Sequence, residues 1–186
     1  MLRALWLFAP LLFAAAVAAV VQRRNLLRWA RRPVDGGLEW RGRRVFGDNK
    51  TWRGFLVAIV GGAAFALLQK HAVGSAAAGV LVVDWNIVPA ALFGAAMGLG
   101  AMLGELPNSF VKRRLAIAPG TATTGTWSVV FYVWDQVDLL TGAWPLIWMW
   151  VHPRPLLVAA SFALALVVHP VLSLMGWLLG ARISAR

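Results

Sequence analysis

The sequence predicts an all-α integral membrane protein with about five transmembrane helices and a long basic cytoplasmic loop after helix 1. Of its 186 residues, 60% are hydrophobic and only 13% are charged, whereas soluble domains have roughly 25% charged residues. At about 20 apolar residues per span, this length allows five or six helices and leaves no room for a separate soluble domain. We therefore expect one membrane-embedded domain over residues 1–186.

Five apolar stretches predict the membrane spans, at about residues 4–21, 55–68, 87–106, 126–140 and 156–179. Residues 72–83 are apolar but too few to span alone, so they extend helix 2 past Lys70, form a re-entrant piece or lie in the interface. Helix 1 resembles a cleavable signal peptide, but Arg23 and Arg24 follow it directly. We expect it to be retained as an anchor.

The charge of the chain indicates its orientation in the membrane. The formal net charge is +11, and five spans place all but three of the 18 Lys and Arg residues on one face. The three on the other face are Arg3, Lys70 and Arg154. The positive-inside rule assigns the basic face to the cytoplasm, with the N-terminus outside and the C-terminus inside. This predicts a multi-pass protein of the inner or plasma membrane; a nucleic-acid partner is excluded because it would not explain the spans.

The residue types that commonly bind transition metals are scarce. The chain has no cysteine and three scattered histidines, which excludes thiolate chemistry and disfavours a zinc site. A metal here would be held by carboxylates, which suit a hard ion such as Mg²⁺.

Asp135 and Asp138 lie inside the fourth apolar stretch. Each carboxylate costs about 2.5 to 3.5 kcal/mol at the centre of a membrane helix, so the two must be paired or hydrated. Their i, i+3 spacing places both on one helix face. A metal or proton site is favoured over an ion pair with a buried Arg or Lys, because the other spans contain almost no cations.

Helix 3 has a row of small residues, Gly94, Gly98 and Ala101, at helical spacing. Such a row packs closely against a neighbouring helix, and its next member, Glu105, would lie at the cytoplasmic end of that contact. If a helix resumes after Pro107, residues Ser109, Lys112 and Arg113 share one face and present a hydroxyl and two cations to a phosphate. The alternative is a juxtamembrane basic patch.

The loop over residues 37–54 combines four glycines with cations. The glycines permit tight turns, and Lys50, Thr51 and Arg53 offer donors to a polyphosphate. The spacing is not that of a P-loop. A basic cytoplasmic loop with turn residues explains the composition equally well.

Three separated motifs in this order carry a family resemblance: residues 47–54, residues 108–110 with 112–114 and 119–120, and residues 135–138. Together they resemble the CDP-archaeol synthase family, which is similar to the CDP-diacylglycerol synthases among the CTP-dependent lipid cytidylyltransferases. The resemblance covers roughly residues 20 to 142 and is far more specific than any one motif.

The resemblance implies a five-helix membrane enzyme that converts CTP and a lipid phosphate into a CDP-activated lipid and pyrophosphate, for phospholipid synthesis. It implies an active site facing the cytoplasm and a requirement for Mg²⁺, with K⁺ and a homodimer left open. The implied catalytic residues are Lys112, Arg113, Asp135 and Asp138. The implied nucleotide-binding residues are Asp48, Asn49, Lys50, Thr51, Arg53, Gly54 and Ser109. The implied metal ligands are Asp135 and Asp138, with Glu105 as a third.

Two departures leave the lipid phosphate open between archaetidic and phosphatidic acid-like substrates. Glu105 stands where family members often have Asp, and fourteen residues, 121–134, separate the Pro-Gly pair from the Asp-Gln-Val-Asp motif. Two alternatives from other classes are a small cation-coupled transporter and a non-catalytic scaffold that binds anionic lipid.

Overall fold

The computed structural model describes residues 1–72, 82–86, 88–119, 121, 123, 125–152 and 154–178, and in these residues it shows a bundle of five α-helices. The helices are α1 (Leu2–Arg23), α2 (Trp52–Ala72), α3 (Ala90–Arg114), α4 (Ser128–Ile147) and α5 (Pro155–Leu178). Between α1 and α2 lie a short 3-10 helix, Arg28–Ala30, and a hairpin of β1 (Glu39–Trp40) and β2 (Arg43–Arg44). A second 3-10 helix, Gly125–Trp127, precedes α4.

The predicted number of helices is confirmed. By length and composition, three helices of the described part of the chain, α1, α2 and α3, could cross a membrane, and α5 contains the apolar piece Pro155–Val168. The second helix continues past Lys70 to Ala72. Most of the segment 72–83, for which three arrangements were predicted, lies outside the described residues, which omit 73–81. Arg182 and Arg186 of the C-terminal tail also lie outside them.

The third helix does not stop at the predicted end of its span. It runs without interruption through Pro107 and ends at Arg114, although proline removes one helical N–H and crowds the preceding turn. Contacts with α2 on one side and α4 on the other support α3 along its length. This packing stabilises the helix across the proline, so α3 extends beyond the predicted span and the condition that a helix follows Pro107 is met.

Helix α3 meets α2 backbone to backbone through the predicted row of small residues. A methyl group added at Gly94 would overlap the carbonyl of Gly62, and one added at Gly98 would overlap the carbonyl of Ala58. Small residues permit this close approach, which gains van der Waals contact and excludes lipid. The prediction that the row packs a neighbouring helix is therefore confirmed.

A second contact of the same kind, which was not predicted, joins α3 to α4. A methyl group added at Gly142 would overlap the carbonyl of Gly100 and the backbone of Gly104. Helix α3 is therefore held at backbone distance by both neighbours. This arrangement aligns its last turns with the aspartates of α4.

The apolar core lies at the end of the bundle away from the basic loops. It centres on Phe8, Phe93, Met97, Trp144 and Ile147, from α1, α3 and α4. The Phe8 and Trp144 rings meet edge to face with centroids 5.5 Å apart, a favourable geometry for aromatic pairs. Buried Gln69 and Ser161 lie at this end too, whereas the other buried polar side chains of the described residues lie nearer the opposite end, where α3 ends and α4 begins.

Replacing Gly142 with alanine should separate α3 from α4. Its added methyl group has no room, and overpacking of this kind costs about 1 to 3 kcal/mol. Gly54→Ala is the matched control, because a Cβ there would meet its nearest neighbour, the Met102 sulfur, at an ordinary 3.7 Å. Thermal unfolding of both purified variants in detergent checks this, and equal stability of the two would contradict the tight crossing.

Candidate active site

The two aspartates of α4 converge, as predicted, and Asn108 of α3 bridges them. The Asn108 Nδ2 donates hydrogen bonds to Asp135 Oδ1 at 2.6 Å and to Asp138 Oδ2 at 2.9 Å. Asn108 and Asp138 are both buried. Asn108 is not among the predicted site residues, although it lies three residues after Glu105 and four before Lys112, a spacing that places all three on one helix face.

Lys112 forms an ion pair with Asp135. Its Nζ donates to the two carboxylate oxygens at 2.5 and 2.7 Å. The sequence disfavoured an ion pair because the other spans contain almost no cations. The lysine comes instead from the continuation of α3 beyond Pro107, so the disfavoured pairing occurs for Asp135.

Glu105 faces the loop between α1 and α2. Its carboxylate accepts a hydrogen bond from the Lys50 Nζ. Within the described ranges no three His, Asp or Glu side chains are grouped as metal ligands. The assignment of Glu105 as a third metal ligand therefore stays a prediction.

Arg113 is a buried cation with unsatisfied donors. Only 9% of the residue is exposed, and its Nε and Nη1 have no hydrogen-bond partner among the described residues. A Cβ built on Gly47 would lie 3.6 Å from the Arg113 Cδ and 3.0 Å from the Pro119 Cγ, so the first and second motifs meet here. A buried guanidinium is stable only beside an anion, and its planar donors fit phosphate.

The predicted nucleotide-binding residues do not all face this centre. Lys50 bonds Glu105, and buried Ser109 lies one turn before Arg113. The Thr51 Oγ1 accepts a hydrogen bond from the Gly54 N–H at 3.3 Å at the start of α2. The Arg53 Nη1 donates to the Leu26 carbonyl at 3.4 Å. Asp48 forms an ion pair with Arg44 at 2.7 Å. Asn49 is exposed.

Arg114 docks the loop onto the end of α3. Its guanidinium donates to the backbone carbonyls of Trp40, Arg43 and Arg44. It also lies over the rings of Trp40 and Phe110, 5.3 and 5.1 Å from their centroids. This arginine therefore positions the loop.

Asp35 organises the loop and is also absent from the predicted site residues. Its Oδ1 accepts a hydrogen bond from Arg44 at 2.6 Å, and its Oδ2 accepts from the N–H groups of Phe46 at 2.9 Å and Gly47 at 3.1 Å. The available signal was an aspartate directly before two glycines, which is typical of a turn. These bonds fix the backbone that carries Gly47 against Arg113.

The ionisation of Asp35 matters for this loop. Burial of its side chain, which is 1% exposed, by itself raises the pKa of the carboxyl. The hydrogen bonds from Arg44 and from three backbone N–H groups outweigh burial and lower the pKa from 3.8 to about 2. The ionised form therefore stabilises the folded loop.

The polar cluster has the donor types that a hard metal ion requires. The Asn108 Oδ1 is buried and has no hydrogen-bond partner in the described part of the chain. With the carboxylates of Asp135 and Asp138 it offers oxygen donors from three adjacent side chains. Oxygen ligands suit Mg²⁺, which takes its remaining positions from water and substrate phosphates.

Comparison with known proteins identifies the family. The family described as CarS-like, CDP-archaeol synthase, matches residues 1–185. The chain belongs to the CDP-archaeol synthase family. It is therefore a CTP-dependent membrane cytidylyltransferase that makes a CDP-activated lipid. The transporter and scaffold alternatives are set aside, and enzymes of this kind generally need a divalent metal.

Individual relatives are archaeal. A CDP-archaeol synthase of Halorubrum lacusprofundi is 37% identical over 74% of this chain and 71% of its own length. That of Thermofilum pendens is 33% identical over 96% of this chain and 77% of its own. A solved structure, of an intramembrane enzyme for archaeal membrane lipids biosynthesis, aligns with a TM-score of 0.65 and 28% identity over 92% of both chains.

Acid should open the loop that Asp35 organises. Because its folded pKa of about 2 lies below the ordinary 3.8, its stabilising effect is complete above pH 3.8 and is lost as the pH falls through about 2. We expect pepsin to cleave within residues 33–51 at pH 2 far faster than at pH 4, relative to an unstructured substrate.

Asp35→Asn should be cleaved rapidly at both pH values. Asp48→Asn is the matched control: the Asp48 side chain pairs with the same arginine but is 71% exposed, and exposed pairs contribute little. If Asp35→Asn resists pepsin at pH 4 as well as the unmodified chain does, the stabilising role of Asp35 in the loop is contradicted.

Proposed function

We propose that the enzyme transfers CMP from CTP to an archaetidic acid-like lipid phosphate at the cluster of Asn108, Lys112, Asp135 and Asp138. A lipid-phosphate oxygen forms a bond to the α-phosphorus of CTP, the bond from that phosphorus to the bridging oxygen breaks, and pyrophosphate leaves with the electron pair. The observation that carries the proposal is the meeting of two carboxylates, two lysines and an unpaired buried guanidinium at one end of the bundle.

The cations would bind the triphosphate. Arg113 has unsatisfied donors in a buried position beside the loop, and Lys50 and Lys112 are held near it by Glu105 and Asp135. Ser109 adds a hydroxyl on the same helix. Phosphoryl transfer depends on positioning and charge neutralisation, which these groups supply to the leaving pyrophosphate.

The oxygen donors of Asp135, Asp138 and the Asn108 amide would hold Mg²⁺. When bound, the ion neutralises phosphate charge and orients the triphosphate. When nucleotide binds, Lys112 would move from the Asp135 carboxylate to a phosphate oxygen. Lys112 thus holds the aspartate in position before nucleotide binds and neutralises phosphate afterwards.

We also propose that this end of the bundle faces the cytoplasm of the cell membrane. The ends of α1 and α3 and the starts of α2 and α4 share it with the basic loop, whereas Gln69, near the end of α2, bonds the Trp6 carbonyl near the start of α1 at the other end. The positive-inside rule then gives an outer N-terminus. CTP would enter from the cytosol, with residues 1–186 forming one domain.

The function is tested by incubating the purified protein with labelled CTP, Mg²⁺ and a panel of lipid phosphates that differ in ether-isoprenoid or acyl tails. We expect CDP-lipid formation with the ether-isoprenoid phosphate and its loss on chelation of the metal. Faster turnover of phosphatidic acid would contradict the proposed lipid. Absence of CDP-lipid from every phosphate would contradict the reaction.

In the same assay, Asp138→Asn should lower kcat by about 100-fold or more, because it removes one charge from the proposed metal site. Asp84→Asn is the control: Asp84 is exposed, lies before α3 at the other end, and accepts a bond from the Asn86 N–H. A kcat of Asp138→Asn close to that of Asp84→Asn would contradict the assignment.

Arg113→Gln should raise KM for CTP by about tenfold or more, since hydrogen bonds to charged groups contribute about 1.5 to 3 kcal/mol. KM for the lipid phosphate should change little. Arg28→Gln is the control, because Arg28 bonds only the nearby Asn25 carbonyl on the loop surface among its described contacts. A larger effect on the lipid KM than on the CTP KM would place Arg113 at the lipid phosphate instead.

A further inference from the structure

A cavity of about 420 Å³ lies between the end of α3 and the start of α4. None of the residues that line it has a role in the cluster described above. Part of its wall comes from the 121–134 segment, where the chain departs from the family pattern. The lining residues are Leu115, Ala116, Ile117, Ala118, Thr121, Thr123 and Trp127.

One wall of this cavity begins two residues after Arg113. The helix ends in a tight turn in which the Ile117 N–H donates to the Lys112 carbonyl at 3.0 Å and the Ala116 N–H donates to the Arg113 carbonyl at 3.2 Å. Ala116 has φ +60°, a left-handed conformation that glycine ordinarily takes at this position. The turn thus directs the chain away from α3 and opens the cavity beside the buried guanidinium.

The cavity is also lined by a hydroxyl and an indole. The Thr123 Oγ1 is buried and has no hydrogen-bond partner among the described residues, whereas the Thr121 hydroxyl donates to the Ala118 carbonyl at 2.8 Å. Trp127 is 57% exposed and lines the cavity just before α4 begins. A buried hydroxyl without a partner is unfavourable, so the cavity suits an occupant able to hydrogen-bond, and the exposed indole offers a face on which a flat group can stack.

We propose that this cavity binds the cytosine base of CTP, with Trp127 stacking on the ring and Thr123 hydrogen-bonding its polar edge. The proposal rests on the proposed function. An aliphatic lipid tail would leave the Thr123 hydroxyl unpaired, whereas a base has a polar edge for it and two faces for stacking. The volume lies within the usual range of small-molecule sites.

The position of the cavity fits a nucleotide that reaches the aspartates. Asp135 lies seven residues after Ser128 along α4, which is roughly 10 Å of helix. Along the chain, Arg113 follows the cluster residues Asn108 and Lys112 and comes two residues before Leu115, the first residue of the cavity lining. The order of cavity, guanidinium and carboxylates matches the order of base, phosphates and metal in a bound nucleoside triphosphate. The inserted segment would therefore contribute to nucleotide recognition.

The experiment compares binding of CTP and of inorganic tripolyphosphate to the purified full-length protein by isothermal titration calorimetry with Mg²⁺. Thr123→Val and Trp127→Ala should each raise the Kd for CTP, by about tenfold for the stacking residue. Both should leave the Kd for tripolyphosphate within about twofold, because it has no base. Trp148→Ala is the matched control, since Trp148 is similarly exposed at the other end of α4. It should change neither constant.

Unchanged CTP affinity in both variants would overturn the base site. Equal weakening of CTP and tripolyphosphate would also overturn it, because the residues would then shape the phosphate site. These outcomes are distinct from failure of the proposed function, in which the unmodified protein would bind neither CTP nor tripolyphosphate.

Discussion

The structure depends on the backbone contacts that α3 makes with both neighbours. Glycines at Gly94, Gly98, Gly100 and Gly104 allow α2 and α4 to approach to a distance that any side chain would prevent. Without a hydrophobic driving force between helices in lipid, such close packing is a main source of association. It also sets the register by which the last turns of α3 lie against the aspartates of α4. The same glycine contacts therefore determine both the packing of the bundle and the geometry of the site.

Within that register, charge compensation decides which side chains meet. Carboxylates and guanidinium groups at membrane depth are costly unless they are paired. Asn108 and Lys112 therefore satisfy the aspartates of α4, and Lys50 from the loop satisfies Glu105. Arg113 lacks such compensation in the described residues. An enzyme that binds a triphosphate needs this imbalance, since cations fully satisfied by the protein would have nothing to offer the substrate.

Some residues of the loop between α1 and α2 hold it in place, and others would bind the nucleotide. Buried Asp35 and the guanidinium of Arg114 fix its shape and its attachment to α3. These anchors allow Lys50 and Gly47 to reach the cluster. The basic residues that set the orientation of the chain in the membrane thus include structural cations as well as those that would meet the nucleotide. Only their partners distinguish the two kinds.

Local periodicity and motif order are enough to predict the helix count, the close packing of the small-residue row in α3, the convergence of Asp135 and Asp138, and the family. Contacts between distant segments, by contrast, determine that α3 continues through Pro107, that Asp135 is ion-paired, that Asn108 bridges the two aspartates and that Asp35 holds the loop. They also leave donors of Arg113 unsatisfied, whereas Lys50 is paired with Glu105 and Arg114 donates to the loop. The physical reason is that a side chain's role depends on its partners, and these come from helices and loops far apart in the chain, brought together by packing that no local pattern encodes.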